Sequence, residues 1–219
     1  MPILLDLFSG TQSISKVAKE LKWETLSLDI CPKHNPDPCM DILSFNETDY
    51  PKDYFDFIWA SCPCEAYSVA RARPCRASRD DAMNASDPLV AKTRAIIAHF
   101  DQAEWCIENP AFSRLWQRDV ARGLLEMSTI TSYCCWGFPY RKNTRLASSF
   151  ALTLPRCPGP GHCPMMVGRS HLEHAQRGRG GHLGTKEHSR DELHRIPPGL
   201  CAAILELWSL NALTRLDPP

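Results

Sequence analysis

Pro2-Ile3-Leu4-Leu5-Asp6-Leu7-Phe8-Ser9-Gly10-Thr11-Gln12-Ser13 is the stretch that decides the fold. Residues 2–8 form a short apolar run, the pattern of a strand buried on both faces, and the run ends in the turn Ser9-Gly10. Residues 11–21 then carry Ile14, Val17, Ala18 and Leu21 at helical spacing. Strand, glycine turn and helix in this order open a βαβ unit. The glycine lets a ligand approach the backbone closely, and the helix start offers free N–H groups to an anionic group.

Working outward, further strands are predicted over residues 25–30, closing on Asp29, and over 54–60, 105–108, 129–135 and 146–154. Helices are predicted from Ser86-Asp87-Pro88 through Phe100, over 112–127, and over 198–213. Strands alternating with helices predict an α/β domain with a mostly parallel sheet and helices on both faces. In such sheets ligands sit beyond the carboxyl ends of the strands. The reactive residues gather at those ends: 6–10, Asp29, Ser61 to Cys64, and Glu108-Asn109. We divide the chain into a body over 1–150, a Cys/His/Arg-rich insert over 151–193, and a closing helix over 194–219 that returns to the body.

The 219 residues carry no net charge, but the charge is unevenly placed. Residues 1–139 hold 14 Lys and Arg against 19 Asp and Glu, whereas residues 140–195 hold 10 against 4. A basic segment beside an acidic body suits a polyanionic partner, and equally a solvated Arg-rich loop. Eleven cysteines, an odd number, are spread along the chain with no leader-like start. Free thiols or metal ligands in a reducing intracellular compartment are therefore expected, in cytoplasm or nucleus according to the host. No apolar run is long enough to span a membrane.

Three motifs carry chemistry. The first is the opening loop together with Asp29, which stands where an acid commonly meets ribose hydroxyls. The second is Ser61-Cys62-Pro63-Cys64: a cysteine in a turn after a buried strand suits a nucleophile, a buried structural thiol, or a metal pair with Cys62. Behind it, residues 68–79 hold Arg71, Arg73, Arg76 and Arg79 and no acid, as a loop closing over phosphates would. The third is Ile107-Glu108-Asn109-Pro110, a carboxylic acid placed to bond and protonate a heterocycle.

In this order the motifs resemble the cytosine-5 DNA methyltransferase family, whose pattern runs D-x-F-x-G, an acid after the second strand, D-I, P-C, E-N-V and Q-x-R-x-R. This chain offers Asp6 to Gly10, Asp29, Asp41-Ile42, Pro63-Cys64, Glu108-Asn109-Pro110 and Tyr140-Arg141-Lys142-Asn143-Thr144. Arg195 to Leu200 is similar to the last family motif, which returns to the cofactor pocket. The resemblance covers about residues 3–205. It implies a Rossmann-like class I S-adenosylmethionine-dependent methyltransferase fold acting on a flipped-out cytosine of double-stranded DNA.

By resemblance, Cys64 is the nucleophile and Glu108 holds the base, with Lys142 and Thr144 standing where the family has arginines. The cofactor falls to Phe8, Ser9, Gly10, Thr11, Gln12, Ser13, Asp29, Ile30, Asp41, Ile42 and Pro63. The nucleic acid falls to Ser68, Arg71, Arg73, Arg141 and Arg145. Asp29 is shorter than the usual Glu, and only about fifty residues fill the place of the family's target-recognition domain. That shortness resembles phage and mobile-element members and implies a short recognition sequence, such as a dinucleotide.

Two other readings stay open. One is cytosine methylation in RNA, although the C-F-T marker of the transfer-RNA branch is missing. The other is a non-catalytic nucleic-acid-binding or zinc-structural relative. In the insert, Cys157, Cys163, His171 and His174 are candidate zinc ligands, with His182 and His188 nearby. The alternative there is a basic loop whose histidines touch phosphate.

Overall fold

The computed structural model describes residues 1–68, 76–175 and 188–216. Six strands form the main sheet: β1 (Ile3–Leu7), β2 (Glu24–Leu28), β3 (Phe57–Ala60), β4 (Glu104–Pro110), β5 (Ser128–Ser132) and β6 (Asn143–Ser148). Their spatial order is β2-β1-β3-β4-β6-β5. The first four run parallel, while β6 is antiparallel to both of its neighbours. The helices are α1 (Ser13–Glu20), α2 (Arg76–His99), α3 (Arg190–His194) and α4 (Pro198–Leu216). The order reverses between β1 and β3, and that switch point is where the loops after these strands part to leave a cleft.

Side-chain alternation sorts the strands into two cores. Leu5, Leu7, Ile58 and Ile107 face α2 through Val90, Ile96 and Phe100. Leu4, Trp59 and Cys106 face the other way, against Ile14 and Val17 of α1 and Leu200 and Ile204 of α4. With both faces covered, β1 and β3 are apolar throughout except at Asp6. The insert carries a small hairpin, β7 (Met166–Val167) with β8 (Ser170–His171). Among the described residues, no helix is long and apolar enough to cross a membrane.

Four sequence expectations need correction. α2 starts at Arg76, ten residues before the expected cap, and Pro88 lies inside it. Asp87 does not cap a helix: its carboxylate accepts from the Tyr67 hydroxyl (2.9 Å) and from the Arg118 guanidinium, and Arg118 also donates to Asn84 Oδ1 (2.7 Å). A tertiary partner has claimed a residue whose type otherwise favours a helix start. The helix expected over 112–127 is replaced by two short 3-10 turns, Arg114–Gln117 and Asp119–Ala121, with Arg118 extended between them. The same Arg118–Asp87 pair holds that break open. The strand expected over 129–135 ends at Ser132, and Tyr133–Trp136 forms a 3-10 turn instead. The one expected over 146–154 lies earlier, at Asn143–Ser148, so the Lys142–Thr144 region forms the start of β6.

Candidate active site

The β1–α1 loop turns three times through the left-handed region, at Phe8 (φ 58°), Gly10 (φ 46°) and Gln12 (φ 55°). Such a conformation costs a non-glycine residue about 1–2 kcal/mol, so the surroundings must hold it. Ser9 N–H donates to Leu28 O (3.0 Å), and Gln12 Nε2 donates to His34 O (2.9 Å). Gly10 N–H donates to Asp29 Oδ2 (2.8 Å), while Cys31 N–H donates to Asp29 Oδ1 (2.8 Å). A Cβ at Gly10 would meet only Phe8 O at 3.9 Å, so it is the φ angle and not crowding that calls for glycine. The stretch before α4 closes the loop from far along the chain, with Ile196 N–H donating to Ser13 Oγ (3.1 Å).

The second wall is the turn after β3. Cys62 is buried against Thr93 (3.8 Å), and burial pushes its thiol up to about 12. It is an inert core thiol. Cys64 is half-buried and faces the cleft. Burial first, then the nearby Glu108 charge, raises its thiol to about 11, while Lys142 pulls the other way. The resting cysteine is therefore protonated and must be activated when a substrate arrives. Asn109 Nδ2 donates to Cys62 O (2.7 Å), tying the β4 end to this turn. Tyr67, bonded to Asp87, anchors its far side.

The third wall is Glu108, only 7% exposed. Its Oε1 accepts from the hydroxyl of Thr144 on β6, which also donates to Asn109 O (3.1 Å). Lys142 Nζ donates to Leu193 O (2.8 Å) and lies 4.8 Å from the Tyr133 ring centre. Together these walls enclose an open cleft with about 830 Å³ of empty space, solvent at its mouth included.

Of the sequence-predicted residues, the cleft gathers Phe8, Ser9, Gly10, Thr11, Ser13, Asp29, Pro63, Cys64, Glu108 and Lys142. Thr144 stands behind it, supporting Glu108. Gln12 is turned toward His34 and Asn35. Ile30 is exposed, Asp41 caps a turn by accepting from Leu43 N–H (2.9 Å), and Ile42 is buried in the core. Arg145 is not brought to the cleft: strand alternation turns it away from Thr144, and it donates to Ser128 Oγ (2.6 Å). Arg141 is exposed beside the insert and Ser68 is half-buried. Arg71, Arg73 and His182 lie outside the described residues, as does the side chain of Arg76. The cleft also uses Trp59 and His194, which the sequence reading did not select, and Asp6, Ser61 and Cys62, which it quoted in its motifs without giving them to the cofactor or the base. A carboxylate inside an otherwise apolar strand was the available signal for Asp6.

Asp6 is buried on the α1 side of the sheet, and Ser15 Oγ donates to its Oδ2 (2.6 Å). Burial raises its carboxyl from 3.8 to about 7. The folded state thus holds this proton more tightly than the unfolded one. The resulting stability is complete below pH 3.8 and is lost as pH rises toward 7. We expect the Asp6→Asn variant to lack this decline, so that wild type loses of order 4 kcal/mol relative to it between pH 4 and 7. Urea unfolding at several pH values checks this, and parallel curves for the two proteins would contradict it.

The sheet order, the α-covered faces and the cleft at the switch point are those of a Rossmann-like α/β fold. The Entamoeba histolytica methyltransferase EhMeth has this fold with a TM-score of 0.53 at 13% identity, over 71% of this chain. The chain spans 57% of that protein's length. The chain is 29% identical, over 93% of its length, to the "Probable DNA (cytosine-5)-methyltransferase" of Frog virus 3, of which it covers 99%. No family model matches the chain.

Proposed function

We propose that this protein transfers a methyl group from S-adenosylmethionine to carbon 5 of cytosine in double-stranded DNA, through a covalent bond to Cys64. The observation that carries the reading is the convergence of Cys64, Glu108 and Lys142 on the same cleft as the Gly10–Asp29 loop. The name of the Frog virus 3 relative supports DNA as the substrate.

The residues fit the cofactor. Ser9 Oγ is buried with no hydrogen-bond partner among the described residues, and so is ready to meet a ligand atom. Each Asp29 oxygen has taken one backbone N–H and keeps lone-pair capacity for the two hydroxyls of a ribose. The buried Asp6 carboxyl at the base of the cleft is suited to a cationic sulfonium and ammonium. When bound, S-adenosylmethionine supplies an electrophilic methyl group.

The remaining work belongs to the chain. A paired base is shielded, so the target cytosine must leave its stack. The Cys64 thiol gives up its proton to solvent, and the thiolate bonds ring carbon 6. Protonated Glu108 donates its proton to ring nitrogen 3 as the attack pushes electron density there, accepts from the exocyclic amine, and takes the proton back when the double bond is restored. Thr144 holds that carboxyl in place. Carbon 5, now enamine-like, takes the methyl group. Loss of the carbon 5 proton to water then expels Cys64 and restores the double bond. Lys142 supplies positive charge at the mouth of the cleft, where the family has arginine.

Transfer of tritiated methyl groups to duplex DNA and to transfer RNA, side by side, tests the substrate. Label on DNA alone is expected. Label on transfer RNA alone would overturn the DNA assignment while leaving the chemistry standing.

A further inference from the structure

A second constellation, joining the insert to the body, is one that the methyl-transfer chemistry does not use. Cys134, Cys157, Cys163 and His171 come from three separate segments: the turn after β5, the loop 155–163, and β8. Their four ligand atoms all lie within 4.8 Å of one another. His171 Nε2 is 3.5 Å from Cys157 Sγ and 3.7 Å from Cys163 Sγ. A tetrahedral zinc ion with ordinary bond lengths sets sulfur and nitrogen ligands about 3.6 Å apart.

We propose that these four residues bind one structural zinc ion. Three thiolates and an imidazole are soft donors that select zinc, and four protein ligands leave no open position for catalysis. The sequence reading named Cys157, Cys163 and His171 but placed His174 fourth. The structure puts Cys134 there and leaves His174 exposed. Cys134 escaped notice because it lies 23 residues before Cys157 and was read as part of a strand.

The surroundings are built for such a site. Gly159 and Gly161 are both left-handed (φ 86° and 80°), bending the five residues between Cys157 and Cys163 into a closed turn. Cys163 N–H donates to Gly159 O (3.0 Å), and Cys157 N–H donates to Ser132 Oγ (3.0 Å). Zinc binding releases three thiol protons to solvent and leaves a net charge of −1 on the site. The Arg141 cation lies near Cys157 and His171 to offset it.

The consequence is mechanical. The β7–β8 hairpin is two residues on each side, far too small to hold itself together. Zinc staples it to the edge strand β5. Glu173 N–H then donates to Pro139 O (3.0 Å), just before Arg141 and Lys142. The ion therefore braces the segment that brings Lys142 to the cleft.

The test is metal analysis of tag-free, full-length protein purified under reducing conditions without chelator from zinc-supplemented cells. We expect about one zinc per chain, falling to about a tenth or less in Cys134→Ser and unchanged in His174→Ala and Cys39→Ser. Should Cys134→Ser not fold, wild-type protein loaded with cobalt(II) decides: intense thiolate-to-cobalt absorption with strong tetrahedral d–d bands is expected. Wild-type protein free of zinc, zinc retained in folded Cys134→Ser, or weak octahedral cobalt bands would each overturn the proposal. None of these outcomes bears on methyl transfer, which is scored separately by tritium incorporation.

Discussion

Cys64→Ser is expected to lose methyl transfer by at least about a thousandfold, because a serine hydroxyl is a far poorer nucleophile toward ring carbon 6. Cys64 is half-buried and faces the cleft rather than the core, so its replacement by serine leaves the fold in place. The melting temperature is expected to stay within about 3 °C of wild type. Cys62→Ser is the informative contrast. That thiol is buried and held against Thr93, so its replacement should cost stability and leave turnover per folded molecule largely intact. Initial rates normalised to folded protein separate the two. Equal loss in both variants would contradict the assignment of Cys64.

Glu108→Gln is expected to lower turnover by roughly a hundredfold to ten-thousandfold, since the amide can neither donate a proton to ring nitrogen 3 nor carry the charge. The amide oxygen still accepts from Thr144, so the wall keeps its shape. The same change has a second effect of opposite sign. The Glu108 charge follows burial as a cause of the high Cys64 thiol, so removing it lowers that thiol from about 11. Alkylation of Cys64 at pH 8, followed by mass spectrometry, should therefore be faster in the variant although methylation is slower. An unchanged alkylation rate, or turnover within about threefold of wild type, would break this account.

Much of the site could be read from the sequence because it lies where strands end. Phe8, Gly10, Asp29, Cys64 and Glu108 follow apolar runs that could only be buried strands, and a parallel sheet brings such ends together. What escaped reading was set by partners distant in the chain. Asp87 looked like a helix start until Tyr67 and Arg118 claimed it. Residues 112–127 had helical composition, yet Arg118 is pulled extended to reach Asp87. Arg145 was a candidate for the base, but one position of strand alternation sends it to Ser128, and Thr144 to Glu108. Pro139 to Asn143 gave no sign of which residue begins β6, so that alternation could not be phased. Cys134 was hidden because a single cysteine in a strand-like run carries no spacing signal.

Trapping on a duplex with 5-fluorocytosine at the target position tests the central claim most directly. Fluorine at carbon 5 cannot leave as a proton does, so an enzyme that has bonded carbon 6 and delivered its methyl group stays attached to the DNA. With S-adenosylmethionine present, we predict a denaturation-resistant protein–DNA complex whose cross-linked peptide contains Cys64, and none with Cys64→Ser. A complex that persists in Cys64→Ser, or active methylation without any trapped complex, would contradict covalent catalysis by this cysteine.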